Sequence, residues 1–424
     1  MHALATFILP IISLANPQDT GQAQEGSASV DVLAIIAGEE ERATHDWAQW
    51  NGPGFDGVSS ESNWSSEGAA ESLWEAELGL GYSTVSVVDG RLFTMGYDDA
   101  AGLDTVYCLD ALSGKALWSH SFSATIWDLA HEGGTVNTPS VDGDAVIALN
   151  REGNLFSFDA ATGKVRWHRF LMAMGNKHEL EYPKWGFSAS PMVLEDGLFL
   201  NCGKILSIER KTGKILWASE DFGHAYGTPL AFVKDGVPSL AVLNARGIGV
   251  IDRRTGETVA FREFSGKQLG INASTPVLMG EELFIASGTI PACGLFQLGK
   301  DGIEAVWENR EMVTRFSGCV AMNEHLYGFD GEVLKCIDAQ GKAQWSERGI
   351  GNGAVTGAGD RLLVMGANGE LQVVKASPAG YEVLSKVALW EADSAKFWTK
   401  PILVNGIIYC RSNKGQLIAR DHRM

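Results

Sequence analysis

Five short stretches of this chain carry most of its chemically capable side chains. They are Trp127-Asp128-Leu-Ala-His131-Glu132-Gly-Gly-Thr-Val-Asn137, His178-Glu-Leu-Glu-Tyr182-Pro-Lys184-Trp185, His224-Ala-Tyr226, Arg315-Phe316 and Lys396-Phe-Trp398-Thr-Lys400, with Asn272 and Asn352 as isolated amides. Trp185 or Trp398 could stack a planar ring or a sugar, while Arg315, Lys184 and Lys400 could meet its carboxylates. Asp128 is placed to act as a base toward an alcohol, and Glu132, Asn137 and Asp128 are the hard oxygen donors that a calcium ion takes. His131 and His224 lack a third defined ligand, which argues against zinc. No nucleophile elbow, phosphate loop or zinc-protease motif is present; Thr-Gly-Lys occurs, but without the glycine-rich run that cradles a phosphate. Because the stretches are far apart in sequence, a scaffold has to bring them to one place.

That scaffold is written as a repeat. The phrase Asp110-Ala-Leu-Ser-Gly-Lys-Ala-Leu-Trp118 returns as Asp159-Ala-Ala-Thr-Gly-Lys-Val-Arg-Trp167 and Glu209-Arg-Lys-Thr-Gly-Lys-Ile-Leu-Trp217. Worn copies follow at Asp252–Glu257, Asp301–Trp307 and Asp338–Trp345. Successive turn glycines, Gly114, Gly163, Gly213, Gly256, Gly302 and Gly341, are 39 to 50 residues apart, a β-rich period that marks a propeller. Within a unit, Asn137–Val141 opens an innermost strand, Ala145–Leu149 and Leu155–Phe158 follow across turns, and the Thr-Gly-Lys turn introduces an outer strand ending at Trp167. Each tryptophan is expected to wedge between neighbouring blades.

Outer strands ending at Trp118, Trp167, Trp217, Ala260, Trp307, Trp345 and Trp390 give seven units. Residues 391–424 supply three more strands and then stop, one short. Ser72–Leu78 is the missing outer strand, so the expectation is an all-β, eight-bladed propeller of four-stranded antiparallel blades, closed by an N-terminal strand in the last blade. Ahead of the ring (residues 72–424) we expect a strap over 46–71 anchored by Trp47 and Trp50, and a linker over 16–45. Residues 1–15 form an apolar stretch of signal-peptide length with small residues at Ser13 and Ala15, which points to export to the periplasm.

Composition narrows the partners. Fifty glycines and 13 tryptophans fit many tight turns and one aromatic anchor per repeat. A formal charge of -18, with pI near 4.9, repels phosphate backbones, and no basic patch offsets it, so nucleic acid is excluded. The apolar leader is too short for a membrane span, and no transmembrane domain is expected. The six cysteines show no close spacing, which leaves room for one or two unassigned disulfides in an oxidising compartment. Tyr82, Tyr226, Phe187 and Phe316 are expected to plug the channel.

The repeated Asp-x-x-Thr-Gly-Lys-x-x-Trp phrase resembles the quinoprotein propeller repeat over residues 47–424. That repeat is found in PQQ-dependent alcohol dehydrogenases and in the outer-membrane lipoprotein of β-barrel assembly. Trp47-Ala-Gln-Trp-Asn-Gly-Pro-Gly-Phe-Asp-Gly-Val58 is similar to the start of PQQ-like propellers of planctomycete-type bacteria. The dehydrogenase resemblance implies PQQ and Ca²⁺, held by Glu, Asn and Asp beside two adjacent cysteines; here no cysteines are adjacent, and the haem motif Cys-x-x-Cys-His is absent. The lipoprotein resemblance implies an early lipidated cysteine, whereas the first cysteine is Cys108. The expectation is therefore a monomeric binding or assembly module. It would take a protein, small-molecule or carbohydrate ligand at the central funnel and hold no firmly bound cofactor. A divergent PQQ- and Ca²⁺-dependent dehydrogenase of alcohols, sugars or polyols is the alternative.

Overall fold

Tight turns at short intervals keep every strand next to its sequence neighbour, so the chain builds one antiparallel meander after another. The computed structural model describes residues 45–424 except 127, 130, 176–179, 225, 265–271, 289–291 and 315. The leader, the linker up to residue 44, Trp127, His178 and Arg315 lie outside the described residues. Eight sheets follow in order. Blade 1 comprises Ser86–Val88, Arg91–Asp98, Leu103–Asp110 and Ala116–Ser123; blade 2 comprises Ser140–Asp142, Ala145–Leu149, Asn154–Asp159 and Val165–Phe170. Blades 3 to 7 span residues 192–218, 230–263, 277–309, 319–347 and 354–388. Blade 8 takes Ile402–Val404, Ile407–Arg411 and Gln416–Asp421 from the C-terminus and Trp74–Glu77 as its outer strand, with Trp74 opposite Ala419 and Glu77 opposite Gln416. The ring is thus an eight-bladed propeller closed by an N-terminal strand.

The repeated phrase welds each blade to the next. Trp74, Trp118, Trp167, Trp307 and Trp345 donate their indole N–H groups to Ala111, Ala160, Arg210, Ala339 and Ser377 carbonyls on the following blade's turn, at 2.7–3.0 Å. The turn glycine has two reasons to be glycine. Gly114, Gly163, Gly213, Gly256 and Gly341 sit at φ +69° to +79°. A Cβ there would also lie 2.5–2.8 Å from the preceding blade's tryptophan ring. Gly302, which follows the Ala260 blade, would meet nothing within 4 Å. There Arg262 fills the gap left by the absent indole, lying 5.3 Å over Phe296, donating to the Ile303 carbonyl and pairing with Glu308 at 3.2 Å.

Two expectations need correction. The outer strands do not end at their tryptophans: Ala116–Ser123 and Val165–Phe170 run on past Trp118 and Trp167, and each indole sits in mid-strand beside a bulge. Trp390 is not the blade 7 wedge either. It follows the strand Val383–Ala388 and packs on Phe397 at 5.0 Å, while Ser385 occupies the register position that tryptophan holds elsewhere. Blade 8 also lacks a Thr-Gly-Lys turn, because its two outermost strands come from opposite ends of the chain. Trp64 fills this seam instead. It is 1% exposed among Leu363 and Val373 of blade 7 and Leu403 and Ile408 of blade 8, under the Arg361 guanidinium at 4.6 Å. The six thiols are all unpaired and buried, so no disulfide forms among them.

In a meander the first–second and third–fourth turns share one end of the strands, and the second–third turns and interblade loops share the other. Residues 47–61 run across the first end and touch every blade. Trp47 pairs with Val87 of blade 1 through two backbone bonds, Ala48 accepts from Val141 of blade 2, and Gln49 exchanges two bonds with Val193 of blade 3. Phe55 packs on the blade 4 cluster and Trp50 Nε1 donates to Thr275 Oγ1 beside blade 5. Gly57 abuts Val320 of blade 6, and Val58–Ser59 adds a parallel strand to blade 7. The Glu61 carboxylate accepts the Asn405 and Gly406 amides of blade 8 at 2.7 and 2.8 Å. Among the described residues the one helix is Leu171–Gly175, and no helix is long and apolar enough to cross a membrane.

Candidate functional site at the loop-lined mouth

The opposite mouth is closed by side chains. Leu80-Gly81-Tyr82 runs alongside Gly133-Gly134-Thr135, with Tyr82 N–H donating to the Thr135 carbonyl at 2.6 Å. This approach requires glycine: a Cβ on Gly81 would lie 2.3 Å from Thr135 Oγ1, and one on Gly134 2.5 Å from the Leu80 carbonyl. Tyr82 then stacks on Trp398 at 5.2 Å, and Phe316 stacks on Trp398 at 4.5 Å. The half-buried Trp398 is thus held by two rings brought from blades 1 and 6, and the Lys396 ammonium lies 5.2 Å over it.

Around this stack sits a charged cluster. Glu132 Oε2 accepts from Lys396 Nζ at 2.8 Å, from Tyr82 Oη at 2.9 Å and from Asn413 Nδ2 at 3.3 Å. Burial alone would raise the Glu132 carboxyl, but the Lys396 and Tyr82 bonds hold it below the usual carboxylate range. Tyr82 is pushed up by burial and by donating to that carboxylate. His131 packs edge-on against Tyr82 at 5.0 Å and lies 3.2 Å through Nε2 from Arg151 NH2. Burial, then Arg151 and Lys396, push the imidazole down to about 4, so it is neutral at pH 7. Arg151 is 5% exposed, and burial lowers it to about 10, which still leaves it charged. Nearby Asp104 is raised by burial to about 6, opposed by its bond from Asn150 Nδ2 at 3.0 Å.

Of the candidate residues, His131, Glu132 and Trp398 meet here. Asn137 and Asn272, each 1% exposed, instead bond to backbone: Asn137 Nδ2 reaches the Ala189 carbonyl of the next blade, and Asn272 Nδ2 reaches the Asn244 carbonyl. Lys184 and Trp185 form a separate pair at 5.1 Å, with Tyr226 buried against the Trp185 backbone. His224 accepts from the Ala245 amide through its carbonyl. Asp128 is exposed, and Asn352 is half-buried in the bend before blade 7. Phe187 is 1% exposed within the core between blades 2 and 3, away from the channel opening.

Lys400 belongs to the other mouth. It is 2% exposed, with Nζ 2.9 Å from Asn51 Oδ1 and 5.7 Å from the Trp50 ring, and burial depresses it to about 8. Arg151 and Asn413 escape sequence reading because they lie on second–third-strand turns, whereas the repeat singles out the interblade loops. The signal was available: both turn types emerge at the same end of a meander, and Asn150–Asn154 and Ser412–Gln416 carry functional side chains there.

Glu132 and Asn137, two of the oxygen donors expected for calcium, are engaged elsewhere. No three His, Cys, Asp or Glu side chains among them converge as a metal requires. Glu132 is committed to Lys396 and Tyr82, and Asn137 is turned into the blade interface.

A protein-family profile described as outer membrane protein assembly factor BamB matches residues 65–309. Among solved structures, BamB from Moraxella catarrhalis is similar at TM-score 0.61 and 16% identity, covering 83% of this chain and 99% of that one. Quinohemoprotein alcohol dehydrogenase from Comamonas testosteroni is similar at TM-score 0.65 and 13% identity, covering 89% and 80% respectively. The computationally designed protein Ika8 is similar at TM-score 0.55 and 11% identity, covering 81% and 98%. No curated protein sequence matches this chain. At these identities the solved structures speak for the fold alone. The profile match spans more than half of the chain, and with it this PQQ-like propeller belongs to the family of the outer membrane protein assembly factor BamB.

Proposed function

We propose that this protein is an exported, monomeric binding or assembly module that takes a protein, small-molecule or carbohydrate ligand at the loop-lined mouth. In this reading it works without a firmly bound quinone. The observation that carries the reading is the asymmetry of the two mouths: one is sealed by a strap that touches every blade, the other presents Trp398, Phe316, Glu132 and Lys396 as side chains of interblade loops. A surface that rearranges without breaking backbone pairing suits a binding face. Membership in a family whose profile bears an assembly-factor description supports the same reading. Export to the periplasm is supported by the apolar stretch Met1–Ala15.

A photo-crosslinking residue at position 316, compared with one at Asn405 on the strap face, tests the location. Crosslinks to a defined partner from 316 only are expected; crosslinks from 405 only would overturn it. Calorimetric titration with PQQ, with and without Ca²⁺, tests the cofactor. Saturable Ca²⁺-dependent binding that survives gel filtration would instead support a divergent dehydrogenase.

A further inference from the structure

Both ring nitrogens of His131 face obligate donors. Nδ1 lies 3.1 Å from the Gly133 amide and Nε2 lies 3.2 Å from Arg151 NH2. A neutral imidazole carries one N–H and has one acceptor nitrogen, so whichever tautomer is present, one contact sets two N–H groups against each other. Arg151 compounds the mismatch. It is 5% exposed, its Nε has no hydrogen-bond partner, and it forms no ion pair among the described residues. Asp104 supports the Arg151 charge from a distance but bonds Asn150 Nδ2 instead, so the buried guanidinium has no carboxylate in contact with it, which is costly. Glu132, the other carboxylate of the cluster, is occupied by Lys396, Tyr82 and Asn413.

We propose that the Arg151–His131 pair is the seat of a carboxylate carried by the ligand of this mouth. The inference rests on the reading of this mouth as the binding face. A carboxylate offers two acceptor oxygens, one for an Arg151 N–H and one for the His131 Nε2–H, which turns the donor–donor contact into two charge-assisted bonds. The Arg151 main chain is anchored, since its carbonyl accepts from Tyr182 Oη and the Phe187 amide. His131 is half-buried and precedes the Gly133-Gly134 pair, so it is the partner that moves aside. Lys396 adds positive potential, while Tyr82 and Trp398, which both pack edge-on against His131, border the seat with apolar surface. Glu132 and Asp104 beside the seat disfavour anions of higher charge.

The test uses the full chain with three probes: sodium acetate, the blocked peptide acetyl-Gly-Glu-Gly-amide and its Gln counterpart. Binding is followed by calorimetry and by the His131 imidazole ¹⁵N shift. The Glu peptide is expected to bind at least about tenfold more tightly than the Gln peptide. That difference should vanish in Arg151→Gln and in His131→Phe, the latter at a half-exposed site whose fold is checked by its melt. Acetate that shifts His131 as the Glu peptide does assigns the seat to free carboxylates; a response to the peptide alone assigns it to acidic side chains. Equal binding of the two peptides would overturn the carboxylate seat while leaving the mouth a binding face. An unmoved His131 resonance with every probe at tens of millimolar would also overturn the seat, and crosslinking from position 316 would still test the mouth separately.

Discussion

The two mouths of the channel are closed in opposite ways. On the strap side, closure is backbone and buried: Trp47 is 1% exposed, Gln49 7% and Lys400 2%. On the loop side, closure is a stack of rings and a salt bridge with Lys396 and Glu132 side chains 35% and 49% exposed. A strap hydrogen-bonded to several blades cannot leave without unzipping all of them, so its bonds act cooperatively with ring closure. A stack of side chains opens by rotamer changes and costs little. Stability is therefore concentrated at one mouth and adaptability at the other.

That contrast can be broken by substitution. The largest effect is expected for Trp47→Ala, which should cost about 4 kcal/mol by emptying a buried indole site shared by blades 1 and 8. A chemical melt indistinguishable from the parent protein would remove the strap from the stability account. Next is a pH effect. Burial holds Lys400 at about 8 in the folded protein, below its ordinary 10.5, so between these values the unfolded chain binds more protons. Stability from this group therefore rises as pH increases from about 7.5 to 9.5, by about 2 kcal/mol relative to a Lys400→Met variant. Parallel stability–pH curves for the two proteins would contradict a dry Lys400.

On the loop side, Trp398→Ala should cost only about 1–2 kcal/mol, because the ring is half-exposed, yet it should abolish ligand crosslinking at position 316. Unchanged crosslinking would separate the stack from the binding face. The smallest effect is expected for Tyr82→Phe. It removes one of three donors to Glu132 and should change stability by about 0.5 kcal/mol or less, while raising the Glu132 pKa, as a carboxyl ¹³C titration would read.

How much was legible in the sequence follows the same divide. Turn chemistry is local, so the Thr-Gly-Lys glycines and the alternating strands could be read one unit at a time, and the missing fourth strand of the last blade pointed to Trp74–Glu77. The mouth was legible only in part. His131, Glu132 and Trp398 come from interblade loops that the repeat already located, whereas Arg151 and Asn413 lie on strand turns that looked merely structural. Asn137 and Lys400 have the chemistry of ligands, but one amide clamps two blades and one ammonium meets the strap.

By itself the sequence determined the blade count, the closing strand and the wedges at Trp118, Trp167, Trp217, Trp307 and Trp345, because each depends on a period and on short-range geometry. Tertiary structure alone decided that Trp64 would fill the seam where Ser385 stands, that Lys400 would face inward, and that His131 would sit between two donors. Those outcomes depend on which side chains meet after residues far apart in sequence are drawn around a closed ring, and no local pattern encodes the direction in which a side chain arrives.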